Sequence, residues 1–147
     1  MAHGKLNRPA SNRQKTRQQG TMVLDCQGLS RLVDDSASVV ALVAEGRARG
    51  MEVVISALTI IEATHRKVDR ARLAWLLSGI RIEPVDETMA KAASARLIEA
   101  GLHGHKYAID SVVAELAHGQ PTPVVLLTSD PEGMHALCGP EIRIIPL

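Results

Sequence analysis

The 147-residue sequence has few aromatic residues and no long apolar run. Trp75 and Tyr107 are its single Trp and Tyr, and it has no Phe. This scarcity disfavours nucleic-acid modules that stack bases on aromatic platforms. No apolar stretch approaches the roughly 20 residues that a membrane-spanning helix needs, so we expect no membrane association. The basic N-terminus is not followed by an apolar stretch, and we therefore expect no secretory signal.

Cysteines are also scarce. The two present, Cys26 and Cys138, are far apart and form no CxxC pattern, which disfavours a zinc module or a disulfide scaffold and favours a reduced, cytoplasmic protein. Cys26 has no evident base partner, so we interpret it as a small buried residue rather than a nucleophile.

Acidic residues are missing from the first 20 positions. Five of the 17 Lys and Arg residues lie there and none of the 16 Asp and Glu residues does, so the rest of the chain has twelve basic against sixteen acidic side chains. Residues 1–20 have no hydrophobic period, and we predict a basic, disordered arm. Two roles stay open for it: a poorly ordered leader, or an arm that attracts RNA phosphates through counterion release.

Residues 21–147 alternate short apolar segments with amphipathic ones. Strands are predicted over 22–24, 53–55, 80–82, 123–127 and 142–145. Helices are predicted over 36–49, 57–67, 69–77, 86–101 and 105–117, with a short one beginning at Asp130–Pro131. Strands that are apolar throughout and alternate with helices are typical of a parallel sheet covered on both faces. We therefore predict one three-layer, Rossmann-like α/β domain with a central sheet of four to five strands.

Four carboxylates follow the predicted strands or lie in nearby helices; they are called the four acids below. Asp25 ends the first strand, Glu62 lies in the helix after the second, and Asp130 ends the fourth. Ligands collect outside the carboxyl ends of parallel strands. Asp110 lies in the 105–117 helix on the side of apolar residues such as Val113, where a carboxylate is costly unless it is paired or metal-bound.

Each acid also has an ordinary structural explanation. Asp130 could be an N-cap, and Asp25 could cap a short helical turn after its strand. Glu62 could face solvent, and Asp110 could pair with Lys106 four residues earlier. A bound divalent cation would be one cause common to all four, since a set of oxygen ligands suits Mg²⁺ or Mn²⁺. Such a site can activate water and stabilise charge on a phosphate oxygen.

The order of these motifs resembles the PIN-domain ribonucleases, and within them the toxins of VapBC-type toxin–antitoxin pairs. The motifs are the first strand with Asp25, ISALTIIE ending at Glu62, AIDSVVA around Asp110 and LLTSDP around Asp130. The resemblance spans nearly all of residues 21–147. It implies a PIN domain whose acids meet in one pocket around one or two Mg²⁺ or Mn²⁺. It also implies endonucleolytic cleavage of RNA that leaves 5′-phosphate and 3′-hydroxyl ends.

The resemblance further implies roles for single residues. Asp25 and Asp110 would be primary metal ligands, and Asp130 would bind directly or through water. Glu62 would complete the ligand shell and orient water. Family toxins usually form homodimers and are silenced by a small antitoxin protein that blocks the acids.

Other polar residues are interpreted around this site. Thr128 or Ser129 would support the pocket by hydrogen bonding, as the resemblance implies. His103 and His105 flank a glycine with no third ligand in reach, and we interpret them as turn residues. A basic cluster beyond Glu62 is either a solvated helix surface or a rim that binds RNA phosphates; its members are Arg66, Lys67, Arg70 and Arg72.

The sequence departs from the family pattern at three positions. Cys26 and Gln27 stand where many members have Thr or Ser and then a small polar residue, which bears on positioning near Asp25. Glu115 stands where a small residue is expected in a helix interface. A dehalogenase-type phosphatase would need a second aspartate at position 27, and no receiver-type acidic pair with a late lysine is present. The prediction is a metal-dependent endoribonuclease and toxin, with a catalytically inactive PIN-like module that binds RNA or protein as the alternative.

Overall fold

The structure, a computed structural model, describes residues 19–147. The arm predicted over 1–20 lies outside the described residues except for its last two positions. The strands are β1 (Thr21–Leu24), β2 (Glu52–Ser56), β3 (Arg81–Glu83), β4 (Val124–Thr128) and β5 (Arg143–Pro146). The helices are α1 (Cys26–Val33), α2 (Ala37–Ala48), α3 (Ala57–Ala63), α4 (Arg70–Ser78), α5 (Glu87–Ala100), α6 (Gly104–His118) and α7 (Pro131–Cys138).

The strands form one five-stranded sheet in the order β3-β2-β1-β4-β5, and every pairing is parallel. The central strand β1 pairs with β2 through Val23 and Val54, and with β4 through Leu24 and Leu127. Because all strands run the same way, their carboxyl ends meet at one edge of the sheet. The predicted three-layer α/β domain with a parallel sheet is confirmed.

The sheet is buried on both faces. Leu24, Ile55 and Leu127 pack on one face with side chains of α1, α2 and α4. Val54 and Leu126 pack on the other face with side chains of α6 and α7. All five side chains are fully buried, and burial of each contributes about 1.5–3 kcal/mol. This double burial is the reason that the inner strands β1, β2 and β4 contain continuous apolar runs rather than an alternating pattern.

Two helix predictions differ from the structure. The helix predicted over 57–67 ends at Ala63, because Thr64 has an extended backbone (φ −89°, ψ 120°). The Thr64 hydroxyl donates to the Ile60 carbonyl at 2.7 Å. Arg66 and Lys67 therefore lie in a turn, not on a helix surface. The helical turn expected after Asp25 is a full eight-residue helix, α1.

Glu115 links α6 to α5. Its Oε2 accepts a hydrogen bond from Arg96 Nε at 2.6 Å, and Arg96 Nη1 also donates to the Leu137 carbonyl of α7 at 3.3 Å. The Arg96 cation neutralises the carboxylate, so a long acidic side chain fits where a small residue was expected. No helix within residues 19–147 combines the length and apolar character needed to span a membrane.

Candidate active site

Asp25 lies at the carboxyl end of the central strand and begins α1. Its Oδ1 accepts a hydrogen bond from the Gly28 backbone N–H at 2.8 Å. Its own N–H donates to the Leu127 carbonyl of β4 at 3.2 Å. Asp25 is only 5% exposed, so it is a helix cap that is buried at the sheet edge. The capping hydrogen bond engages one of the two carboxylate oxygens, and the cap explanation and the site explanation are therefore compatible.

Asp130 follows the neighbouring strand β4 and is built in the same way. Its Oδ1 accepts from the Gly133 backbone N–H at 3.1 Å, which caps α7. Its own N–H donates to Thr128 Oγ1 at 3.0 Å. Thr128 is fully buried, so this hydroxyl holds the backbone at Asp130 in place. Ser129, the other residue predicted to support the pocket, is exposed.

Asp110 lies in the second turn of α6. This helix leads back to the start of β4, so its N-terminal part lies towards the carboxyl edge of the sheet. Burial, together with the negative charges of Asp25, Glu62 and Asp130, raises the pKa of Asp110 to about 6. Because Coulomb interactions weaken with distance, this coupling means that the four acids share one electrostatic environment.

Glu62 and Cys26 lie at the margin of this environment. Glu62 is exposed on α3, yet burial of part of its carboxyl group and the charge of Asp25 raise its pKa. Burial and then the charge of Glu62 raise the pKa of the Cys26 thiol, against a hydrogen bond with Ser30 that lowers it. The shifted pKa keeps Cys26 protonated, which agrees with its interpretation as a residue that is not a nucleophile.

The four acids do not form a finished ligand set as they are placed. Within residues 19–147, no three His, Cys, Asp or Glu side chains are arranged to hold a metal ion. The chemistry of the donors nevertheless fits Mg²⁺ or Mn²⁺, because all are carboxylate oxygens and a cation would relieve the repulsion that acts on Asp110. Metal ligation therefore stays a prediction.

The predicted basic rim is divided by the structure. Arg72 Nε donates to the Val33 carbonyl at 2.8 Å and its Nη2 to the Leu32 carbonyl at 3.1 Å. The same guanidinium pairs with Asp35 at 3.1 Å. Arg72 therefore caps the C-terminal end of α1. No local pattern predicts this role, because the partners of Arg72 lie about 40 positions earlier. Three exposed cations remain as candidates for a rim, which stays a prediction: Arg66, Lys67 and Arg70.

Two histidines and two cavities are considered next to the four acids. His103 is the N-cap residue of α6 and His105 lies in its first turn. An opening of about 630 Å³ is lined by residues such as Arg47 of α2 and Glu52 at the start of β2, and by none of the four acids. A smaller cavity of about 300 Å³ lies beside Asp130 and includes Tyr107. Tyr107 is not among the residues predicted for the site, although its position one helical turn before Asp110 is a usable signal.

The fold is shared with a protein of known structure. The crystal structure of VapBC2 from Rickettsia felis bound to a DNA fragment from their promoter contains a chain that matches with a TM-score of 0.63. The match covers 86% of this chain and 98% of that chain.

This protein has a PIN-type fold.

The PIN fold predicted from the order of the motifs is thereby confirmed. The identity between the two chains is 14%, so the likeness concerns the fold. No family model matches the sequence, and no curated protein matches it.

Proposed function

We propose that this PIN-type protein is a metal-dependent endoribonuclease and the toxin of a toxin–antitoxin pair. The observation that carries the proposal is the position of Asp25 and Asp130, which directly follow the paired strands β1 and β4. Burial and three further carboxylates raise the pKa of Asp110 to about 6. Gathering negative charge in this way disfavours the metal-free fold, and strongly perturbed carboxylates of this kind are typical of functional sites. The fold shared with a chain of the VapBC2 structure supports the same class of protein.

Each acid has a distinct part in the proposed reaction. Asp25, Asp110 and Asp130 would hold one or two Mg²⁺ or Mn²⁺. When bound, the cation supplies positive charge that favours ionised water and stabilises the phosphate oxygens. The capping bonds of Asp25 and Asp130 fix both carboxylates to the backbone before any ligand arrives, which lowers the cost of ordering them.

The reacting water would be oriented by Glu62. Its raised pKa makes the carboxylate a better proton acceptor than an ordinary glutamate at neutral pH. Water attacks the phosphorus and its proton passes to a Glu62 carboxylate oxygen. The P–O3′ bond breaks, and the departing O3′ oxyanion takes up a proton from solvent water. The products are a 3′-hydroxyl and a 5′-phosphate end.

Cleavage of a structured RNA by the purified chain tests the proposal. Cleavage should require Mn²⁺ or Mg²⁺, stop in EDTA, and fall at least ~100-fold in Asp110→Asn. The matched control is Asp86→Asn, because Asp86 caps α5 through the Met89 N–H at 2.8 Å and lies outside the four acids. It should cleave at the wild-type rate.

Three outcomes distinguish the alternatives. Undiminished cleavage by Asp110→Asn would overturn the assignment of the four acids. Equal loss in Asp86→Asn would indicate a folding defect rather than lost chemistry. RNA binding without cleavage at any Mn²⁺ concentration would favour the inactive RNA-binding module.

A protein partner is supported by exposed apolar side chains. Ile61 on α3 and Trp75 on α4 are each 68% exposed, and aromatic residues such as Trp are enriched at protein interfaces. We expect a small antitoxin to cover them and to suppress RNA cleavage. Trp75→Ser should weaken this suppression, as measured by titrating a co-purified partner into the cleavage assay. The homodimer stays a prediction, which light scattering tests.

A further inference from the structure

A cavity of about 300 Å³ lies beside Asp130, between α6 and α7. Its lining residues come from the segment before α6 and from both helices: Leu102, Tyr107, Asp130, Glu132, Gly133 and Ala136. An apolar cavity of about 150 Å³ is enough to hold benzene. The space is therefore sufficient for a nucleobase.

The aromatic ring in this cavity is held in place. Tyr107 is half-buried, and Lys106 Nζ lies 5.2 Å from the centroid of its ring, a cation–π distance. The ring atom Cε1 lies 3.1 Å from the position that a Cβ would take on Gly133. That same Cβ would collide with Asp130 Oδ2. The missing side chain at Gly133 thus leaves the room in which Tyr107 and Asp130 approach one another.

We propose that this cavity binds the base of the RNA nucleotide adjoining the cleaved bond, with the base stacked on Tyr107 and recognised by Glu132. The proposal rests on the ribonuclease function proposed above and names a specificity site for it. Leu102 and Ala136 supply apolar walls, and stacking on an aromatic ring is open to every base. The carboxylate of Glu132 repels phosphate, so the base rather than the backbone enters.

The carboxylate of Glu132 selects among the bases. It accepts hydrogen bonds and donates none when ionised, so it favours bases with an exocyclic amino group. Adenine, cytosine and guanine carry such a group, whereas uracil has none and donates only from its ring N3–H. We therefore expect the cavity to disfavour uracil. Because Glu132 is exposed in the first turn of α7, its replacement by glutamine leaves the fold intact.

Cleavage kinetics and cleavage-site mapping test the proposal. Tyr107→Leu should raise KM about 5- to 150-fold with little change in kcat, since stacking on an aromatic side chain contributes about 1–3 kcal/mol per base. Tyr107→Phe should restore the wild-type KM. Glu132→Gln should admit uracil at the cleavage site, because the amide donates to a carbonyl oxygen. Glu99→Gln, an exposed substitution on α5, should leave the base preference unchanged.

A binding measurement separates this inference from the proposed function. In EDTA, a short RNA containing 2-aminopurine should lose fluorescence on binding to the wild-type chain and lose less on binding to Tyr107→Leu. Equal quenching by the two proteins, or an unchanged KM and base preference in a cleaving Tyr107→Leu enzyme, overturns the base site and leaves the nuclease standing. If the wild-type chain cleaves no RNA with Mn²⁺, the proposed nuclease function is wrong. The assignment of the cavity to the nucleotide beside a cleaved bond is then wrong as well.

Discussion

Replacing Asp110 by asparagine should stabilise the metal-free protein. The pKa of Asp110 is raised from its ordinary value of 3.8 to about 6, a shift of about two pKa units at 1.36 kcal/mol each. Asp110 is partly exposed, and solvent screening reduces the corresponding energy to about 1.5 kcal/mol. Asparagine has nearly the same shape and no charge. The free energy of unfolding at pH 7 should therefore rise by about 1.5 kcal/mol in Asp110→Asn.

The same shift predicts the pH dependence of stability. The folded protein binds a proton at Asp110 below about pH 6, whereas the unfolded chain does so only below about pH 4. Between these values the folded state holds more protons, so the free energy of unfolding increases as the pH falls. Wild type should gain stability between pH 7 and pH 4 relative to Asp110→Asn, in which this contribution is absent.

A bound cation should reverse the effect of the substitution. A ligand that binds only the folded state stabilises it by about 2.7 kcal/mol at 100 times its Kd. Thermal unfolding followed by circular dichroism measures both effects, first in EDTA and then with increasing Mn²⁺. Asp110→Asn should have a Tm about 5 °C above wild type in EDTA, and wild type should gain more Tm from Mn²⁺.

The control and the refuting result are both well defined. Asp86→Asn removes a carboxylate from another helix cap, and asparagine caps as well as aspartate does, so its Tm should match wild type in EDTA and in Mn²⁺. An Asp110→Asn protein that is less stable than wild type in EDTA, and that gains as much Tm from Mn²⁺, would refute the idea that repulsion at Asp110 is relieved by a cation.

Three further experiments test the structure itself. Asp25→Ala should cost about 1 kcal/mol more unfolding free energy than Asp25→Asn, because only asparagine keeps the capping acceptor of α1; equal urea midpoints would contradict the cap. Gly133→Ala should lower the free energy of unfolding by about 1–3 kcal/mol, since the new methyl group collides with Asp130. An unchanged Tm would show that α7 can accommodate the methyl group. A double-mutant cycle with Arg96→Met and Glu115→Gln should give a coupling energy of about 1–2 kcal/mol, because the ion pair is largely buried. Additive effects of the two substitutions would mean that the ion pair does not stabilise the packing of α5 on α6.

Local patterns were sufficient to predict the fold. A segment such as 53–55 is apolar at every position, and such a segment occurs in a sheet that is covered on both faces. Asp86 and Gly101 mark the ends of α5 because a capping carboxylate and a residue with positive φ (66°) stand there. These signals are local, so they can be found without knowing which elements touch.

Contacts between distant parts of the chain could not be predicted in this way. The guanidinium of Arg72 closes the end of α1, and Arg96 neutralises Glu115, but neither pairing follows a local period. Tyr107 comes close to Asp130 at Gly133, 26 positions later, where a side chain would collide. The sequence was sufficient to predict that acids follow the strands at the carboxyl edge of the sheet. The contacts around those acids could be described only once the fold was known.

The central position of β1 has a consequence for synthesis of the chain. Leu24 pairs with Leu127, so the strand that carries Asp25 receives its second neighbour only when β4 has been made. A partly synthesised chain therefore contains Asp25, Glu62 and Asp110 without the strand that leads to Asp130. Because chains emerge N-terminus first, the negative charge of the four acids is complete only after Asp130 has been added. An incomplete chain therefore lacks the repulsion among all four acids that the finished protein has. It also lacks Asp130 for as long as its mRNA is being translated.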